Sequence, residues 1–128
     1  MVIVLILWHI KHGKEKVFIK AWKEEFYVNN RDKLIGEFLS KPVEAVEDRY
    51  KTLTVETFGN PAEPVTAYVN VGIWDSLDAF KSEISQYIPD PGAPALDFEV
   101  ARYRIILEPV AWRIGRSDLL RNDSGRTF

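Results

Sequence analysis

Residues 67–80, AYVNVGIWDSLDAF, decide how this chain is read. Ala67–Trp74 alternates as a strand does, and Leu77, Phe80, Ile84 and Tyr87 then repeat at helical spacing. Side chains on a strand point alternately to its two faces, so Tyr68, Asn70, Gly72 and Trp74 share one face and Ala67, Val69, Val71 and Ile73 the other. The second set is plain apolar packing. The first holds an amide between aromatics, with a glycine that leaves space between Asn70 and Trp74. A buried amide without partners costs about 1–3 kcal/mol. Asn70 must therefore bond to a neighbour, to water or to a ligand. Asp75 is a candidate N-cap for the helix that follows, and Asp78 adds negative charge to its first turn.

Working outward, Val2–Ile10 is an unbroken, β-branched-rich apolar run, the signature of a strand covered on both faces. Gly13 ends it. Phe18, Ala21, Trp22 and Phe26 then form one face of a helix expected from Lys14 to about Val28. KLIGEFLSKP (33–42) reads as a second strand. Residues 43–65 form an insert in which VEAVEDRY could be a short helix and KTLTVET a further strand. PDPGAP (89–94) is a loop, ALDFEVARY a possible third helix, and RIILEPVAWRI a last strand with Pro109 at an edge or bulge. The order strand, helix, strand, insert, strand, helix, strand is the ferredoxin-like βαββαβ plan of an α+β domain. The domain is expected over residues 1–114, with 115–128 a polar tail.

Two helices cover only one face of such a sheet. The first strand is apolar on both, with Ile3, Leu5 and Leu7 on one side and Val4, Ile6 and Trp8 on the other. The simplest cover for the second face is another copy of the sheet, so a homodimer is expected. His9 lies on that second face and is expected at the interface. Trp112 and Pro109 are expected to pack or to touch the second copy.

Several function classes lose support. The net charge of −2 argues against a nucleic-acid binder. The apolar N-terminus lacks a basic flank and falls short of the ~20 residues of a membrane span, which suits a cytoplasmic protein without a membrane partner. The chain has no Cys, and His9 and His12 fall on opposite strand faces, so no metal site is expected. Phosphate-binding glycine loops and GxSxG are absent.

VLILWHIKHGKEKVFIKAWKE near the start, VNVGIWDSLDAF in the middle and ARYRIILEPVAWRIG near the end carry a family resemblance. From Val2 to about Ile114 the chain resembles the antibiotic biosynthesis monooxygenases of the dimeric α+β barrel superfamily. The resemblance implies a pocket between the sheet and its helices, with Trp74 on its wall. Phe18, Trp22, Phe26, Phe80, Ile84 and Tyr87 would roof it, and Val4, Ile6 and Trp8 would floor it. Asn70 and Trp74 match the Asn-Trp pair of the cofactor-free quinone-forming members, and are the implied catalytic residues. Trp8, Trp22, Phe26, Tyr68, Gly72, Phe80, Ile84 and Tyr87 are the implied substrate-binding residues. The tyrosine those members carry six residues after the Trp is Phe80 here, and their later basic residue has no clear match. The haem-degrading members use a first-strand Asn, which is Ile6 here, and a late His, whereas no His follows His12. The implied activity is oxygenation of a small aromatic or hydroquinone-like molecule without metal or flavin. A non-catalytic module binding a small lipophilic ligand, and a structural domain whose pocket its own side chains fill, remain the alternatives.

Overall fold

The computed structural model describes residues 1–26, 31–43, 47–85, 96–113 and 115–116. Strand β1 (Val2–Lys11), helix α1 (Glu15–Glu24), β2 (Leu34–Ser40), β3 (Val65–Trp74), α2 (Leu77–Ile84) and β4 (Glu99–Leu107) follow in order. The sheet order is β2-β3-β1-β4 and each pairing is antiparallel, with both helices on one face. This is the ferredoxin-like α+β plan.

β1 takes the centre because it can be buried on both sides. It pairs with β3 from Val2↔Trp74 to Lys11↔Val65, and with β4 from Ile3↔Leu107 to Ile10↔Glu99. Gly13 turns the chain at φ 88°, and its N–H donates to the Glu15 carboxylate. Glu15 also accepts from the Thr66 hydroxyl at 2.9 Å, which ties the start of α1 to β3. Its own backbone N–H, then Thr66, then Gly13 hold this exposed carboxyl below the usual range. At the other end of α1 the Phe26 N–H bonds to the Ala21 carbonyl, five residues back, and Phe26 closes over Trp8 at 5.7 Å between rings. Phe18 packs among Trp8, Tyr68 and Phe98 at 4.9, 5.0 and 5.8 Å. Val4, Ile6, Ile10, Trp74 and Phe80 complete the buried layer between sheet and helices.

Several expectations change. α2 is capped by Ser76, whose hydroxyl accepts from the Ala79 N–H at 3.1 Å, and not by Asp75. The side chain that reaches an N–H three residues on belongs one place later. From Leu96 on, ALDFEVARY is no helix: β4 already runs from Glu99, where the chain pairs with β1. β4 also ends at Leu107, ahead of Pro109, which has no N–H to continue the ladder. KTLTVET does not join the sheet. Of VEAVEDRY, only the 3-10 turn Asp48–Tyr50 is regular, and 44–46 lie outside the described residues, as does the expected end of α1 at Val28.

The insert has a use on the sheet's second face. His9 is fully buried there, with Nε2 2.7 Å from the Val55 carbonyl, and its ring meets Tyr103 edge-on. Phe58 packs edge-on against Tyr103 at 4.9 Å. Gly59, at φ 72°, lies so close to the Tyr103 hydroxyl that a side chain there would collide with it. His9 is thus covered by its own chain and not by a second copy. The other end of this face stays bare: Ile3, Leu5, Leu7, Val71 and Ile73 are half-buried, and Phe38, Ile105 and Leu107 are exposed.

Candidate functional site

Asn70 sits at the middle of β3, faces the helices and is 3% exposed. Trp22 of α1 donates its indole N–H to Asn70 Oδ1 at 3.0 Å. Asn70 Nδ2 in turn donates to Glu37 Oε1 of β2 at 2.8 Å. An indole N–H can only donate, so Trp22 fixes which end of the amide is oxygen. The NH2 end then points to Glu37, which must accept. One direction therefore runs through all three side chains. Burial pushes the Glu37 carboxyl above its ordinary value, opposed first by the Asn70 hydrogen bond and then by the charge of Arg31.

The sheet brings Glu37 here through an irregularity. Leu34 pairs with Trp74, but Gly36 already pairs with Ile73, so Ile35 is an extra residue. The slip reverses the alternation and turns Glu37 and Leu39 toward the helices with Leu34. A second slip, between His9 and Ile10 on the other side of the sheet, has a matching effect on β4. Glu99 and Arg102, three apart, would point to opposite faces of a regular strand. The extra residue puts both toward the helices, where they form a buried ion pair at 2.8 Å. The Arg102 guanidinium also lies 3.9 Å over the Trp8 ring.

Between these groups is a cavity of about 40 Å³ lined by Ile6, Trp8, Trp22, Phe26, Glu37, Asn70, Ile84, Arg102 and Arg104. That volume holds a water or two. Two of its lining residues carry a buried donor with no acceptor among the described residues, Trp8 at Nε1 and Arg104 at Nε. Burial first, then the like charge of Arg102, pulls the Arg104 guanidinium below its ordinary range, with Glu99 opposing.

The residues expected at the site divide. Asn70, Trp8, Trp22, Phe26 and Ile84 line the cavity. Tyr68, Gly72, Trp74 and Phe80 face the helices but are packed beside it. The gap expected at Gly72 is closed by Trp74 itself: a Cβ on Gly72 would lie 3.0 Å from Trp74 Nε1. Trp74 is 1% exposed and meets Phe80 edge-on at 5.9 Å. Tyr87 lies outside the described residues. Glu37, Arg102 and Arg104 are the site residues that strict strand alternation does not reveal, since two register slips deliver Glu37 and the partner of Arg102. Among the described residues, no three metal-ligating side chains come together and no helix is long and apolar enough to cross a membrane.

No family model and no curated protein matches the chain. Solved structures do. MhuD from Mycobacterium tuberculosis, with two haems bound in its active site, aligns with a TM-score of 0.52 at 18% identity over 88% of this chain and 99% of that one. A substituted MhuD with two manganese protoporphyrin IX per active site aligns with a TM-score of 0.55 at 17% identity, over 90% and 100% of the two chains. A Bacillus cereus protein assigned as an antibiotic biosynthesis monooxygenase aligns with a TM-score of 0.51 at 11% identity, over 91% and 97%. The chain has the fold of these proteins.

Proposed function

We propose that the cavity beside Asn70 takes a small phenol or hydroquinone-type molecule and that the chain oxygenates it with O2, using no metal or flavin. The observation that carries this reading is the directed chain Trp22–Asn70–Glu37, which ends at the cavity in a half-buried carboxyl held above the usual carboxylate range. A base raised toward neutrality is suited to accept a phenol's proton. Glu37 thus fills the proton-accepting role for which Phe80 has no hydroxyl.

In this mechanism Glu37 takes the phenol proton and the electron-rich phenolate passes an electron to O2. The radical pair joins at a ring carbon that carries hydrogen, ortho or para to the oxygen. Loss of water from the resulting peroxide leaves a quinone, so phenol and O2 become quinone and water. Asn70 keeps one N–H beyond the one given to Glu37, free to steady the charge on the peroxide. Trp8 and Trp22 offer ring faces to the substrate. Trp74, behind Gly72, reaches it only if its indole turns. A cavity of about 150 Å³ holds one benzene ring, so binding requires Phe26 and Ile84 to swing outward from the roof while Trp22 keeps its bond to Asn70. Haem is not the proposed ligand, because the chain has no His beyond His12.

The test is O2 uptake with methylhydroquinone and simple phenols. Quinone formation, slowed more in rate than in binding by Asn70→Ala, supports the reading. Binding without turnover leaves a non-catalytic module. The filling of the Gly72 gap by Trp74 favours a second reading, a structural domain with a closed core; failure of every phenol to bind would establish it.

The bare end of the sheet supports the homodimer as a further part of the proposal. Ile105 at 55% and Leu107 at 42% exposure lie on one face with Phe38, Leu5 and Ile73, a patch that a second copy would bury.

A further inference from the structure

We infer that the ligand of this cavity is an aromatic molecule bearing a carboxylate, held by Arg104 at the β4 side while its phenol end meets Glu37 and Asn70. The inference rests on the cavity's being a ligand site and adds the ligand's charge. It starts from a charge count at the β4 side. Arg102 has its counter-charge: Glu99 pairs with it at 2.8 Å, and Trp8 lies under it. Arg104 is two residues further along and faces the same way, opposite Ile6 of β1. It has no carboxylate partner among the described residues, and its buried Nε–H has no acceptor. Two guanidiniums and one carboxylate leave one positive charge over. A guanidinium has only donors, and Arg104 is half-buried with its Nε out of solvent, so a counter-charge there is favoured.

Glu37 cannot supply the missing charge. It belongs to β2, the opposite edge of the sheet, it forms no ion pair with Arg104 among the described residues, and the charge that acts on it is that of Arg31. It is already bonded to Asn70. The second unused donor, Trp8 Nε1, belongs to the strand beside β4. Two donors without acceptors and one surplus cation on one wall match a carboxylate, which has two oxygens and one negative charge. A proton-accepting group stands on the far wall. A ring with a hydroxyl at one end and a carboxylate at the other satisfies both.

The probes are 4-hydroxybenzoate and 4-hydroxybenzamide, alike in shape but differing in charge, titrated calorimetrically at pH 7 with methylhydroquinone alongside. The wild type is expected to prefer the carboxylate by roughly tenfold or more, as a charged hydrogen bond implies. Arg104→Gln should bring the two affinities within about twofold, and Arg104→Lys should restore part of the preference. Circular dichroism checks that each variant is folded. Equal affinities in the wild type, or a preference that survives Arg104→Gln, overturn the inference. If methylhydroquinone binds and 4-hydroxybenzoate does not, the anionic ligand is refuted while the cavity stands. If none of the three binds, both claims fall.

Discussion

Trp22→Phe removes the indole N–H together with two ring carbons from the roof of the cavity and tests the chain that organises it. The ring face is kept, so the apolar contacts with the sheet largely survive. What goes is the 3.0 Å bond to Asn70 Oδ1. At 3% exposure Asn70 has little access to solvent, so its oxygen loses its partner and stays desolvated. Leaving such an acceptor unpaired costs about 1–3 kcal/mol. For a chain of this length each kcal/mol lowers the melting temperature by roughly 3–5 °C, so a fall of about 3–15 °C is expected. Urea denaturation at pH 7, followed by circular dichroism, gives the free energies. Asn70→Ala and the double variant complete a cycle. With the amide gone, Trp22→Phe has no acceptor left to strand, so the two losses should be less than additive, by about 1 kcal/mol. Additivity within about 0.5 kcal/mol would refute the argument that Trp22 and Asn70 act as one unit.

Glu37 makes stability depend on pH in a set direction. Its folded form holds a proton to higher pH than the unfolded chain does, so its contribution is complete below the ordinary value of 4.5 and is lost as the pH rises through the raised folded value. Glu37→Gln keeps an oxygen for Asn70 and cannot ionise. Its melting temperature should gain on the wild type as the pH rises from about 4.5 toward 8, and a gap that stays constant would contradict the assignment. Ser76→Ala removes the α2 cap and should cost about 1 kcal/mol, read by the same denaturation, whereas Asp75→Ala should cost less. Ile105→Glu places a charge on the bare sheet face. Light scattering should find a dimer in the wild type and a folded monomer in the variant; an unchanged mass in both would refute pairing through this face.

The architecture was legible where burial and periodicity agreed. A strand apolar on both sides had to be central, and β1 is flanked by β3 and β4. The 67–80 stretch had to turn an amide toward the helices, and Asn70 does so. The acid and the arginines at the site were hidden for a local reason. One extra residue at Ile35 and another opposite His9–Ile10 invert the alternation on both edge strands. Period-two reading assigns such faces wrongly unless the slip is known in advance. The arginines of β4 also disguised it, since Arg102 and Arg104 point inward and break the apolar pattern expected of that face. The insert was opaque for the opposite reason. Its contacts are with His9 and Tyr103, on strands distant in sequence, and nothing in its own composition announces them. Gly72 was read as a gap, but a neighbouring indole is large enough to fill it.

The four tryptophans offer the most direct measurement on the cavity. Each indole N–H gives its own cross-peak in a nitrogen–proton correlation spectrum, assigned by single Trp→Phe substitutions. On addition of 4-hydroxybenzoate or methylhydroquinone, the Trp8 and Trp22 signals should move together and saturably, since both side chains line the cavity, while that of the exposed Trp112 stays in place. Unmoved Trp8 and Trp22 signals, or a response confined to Trp112, would contradict a ligand site beside Asn70.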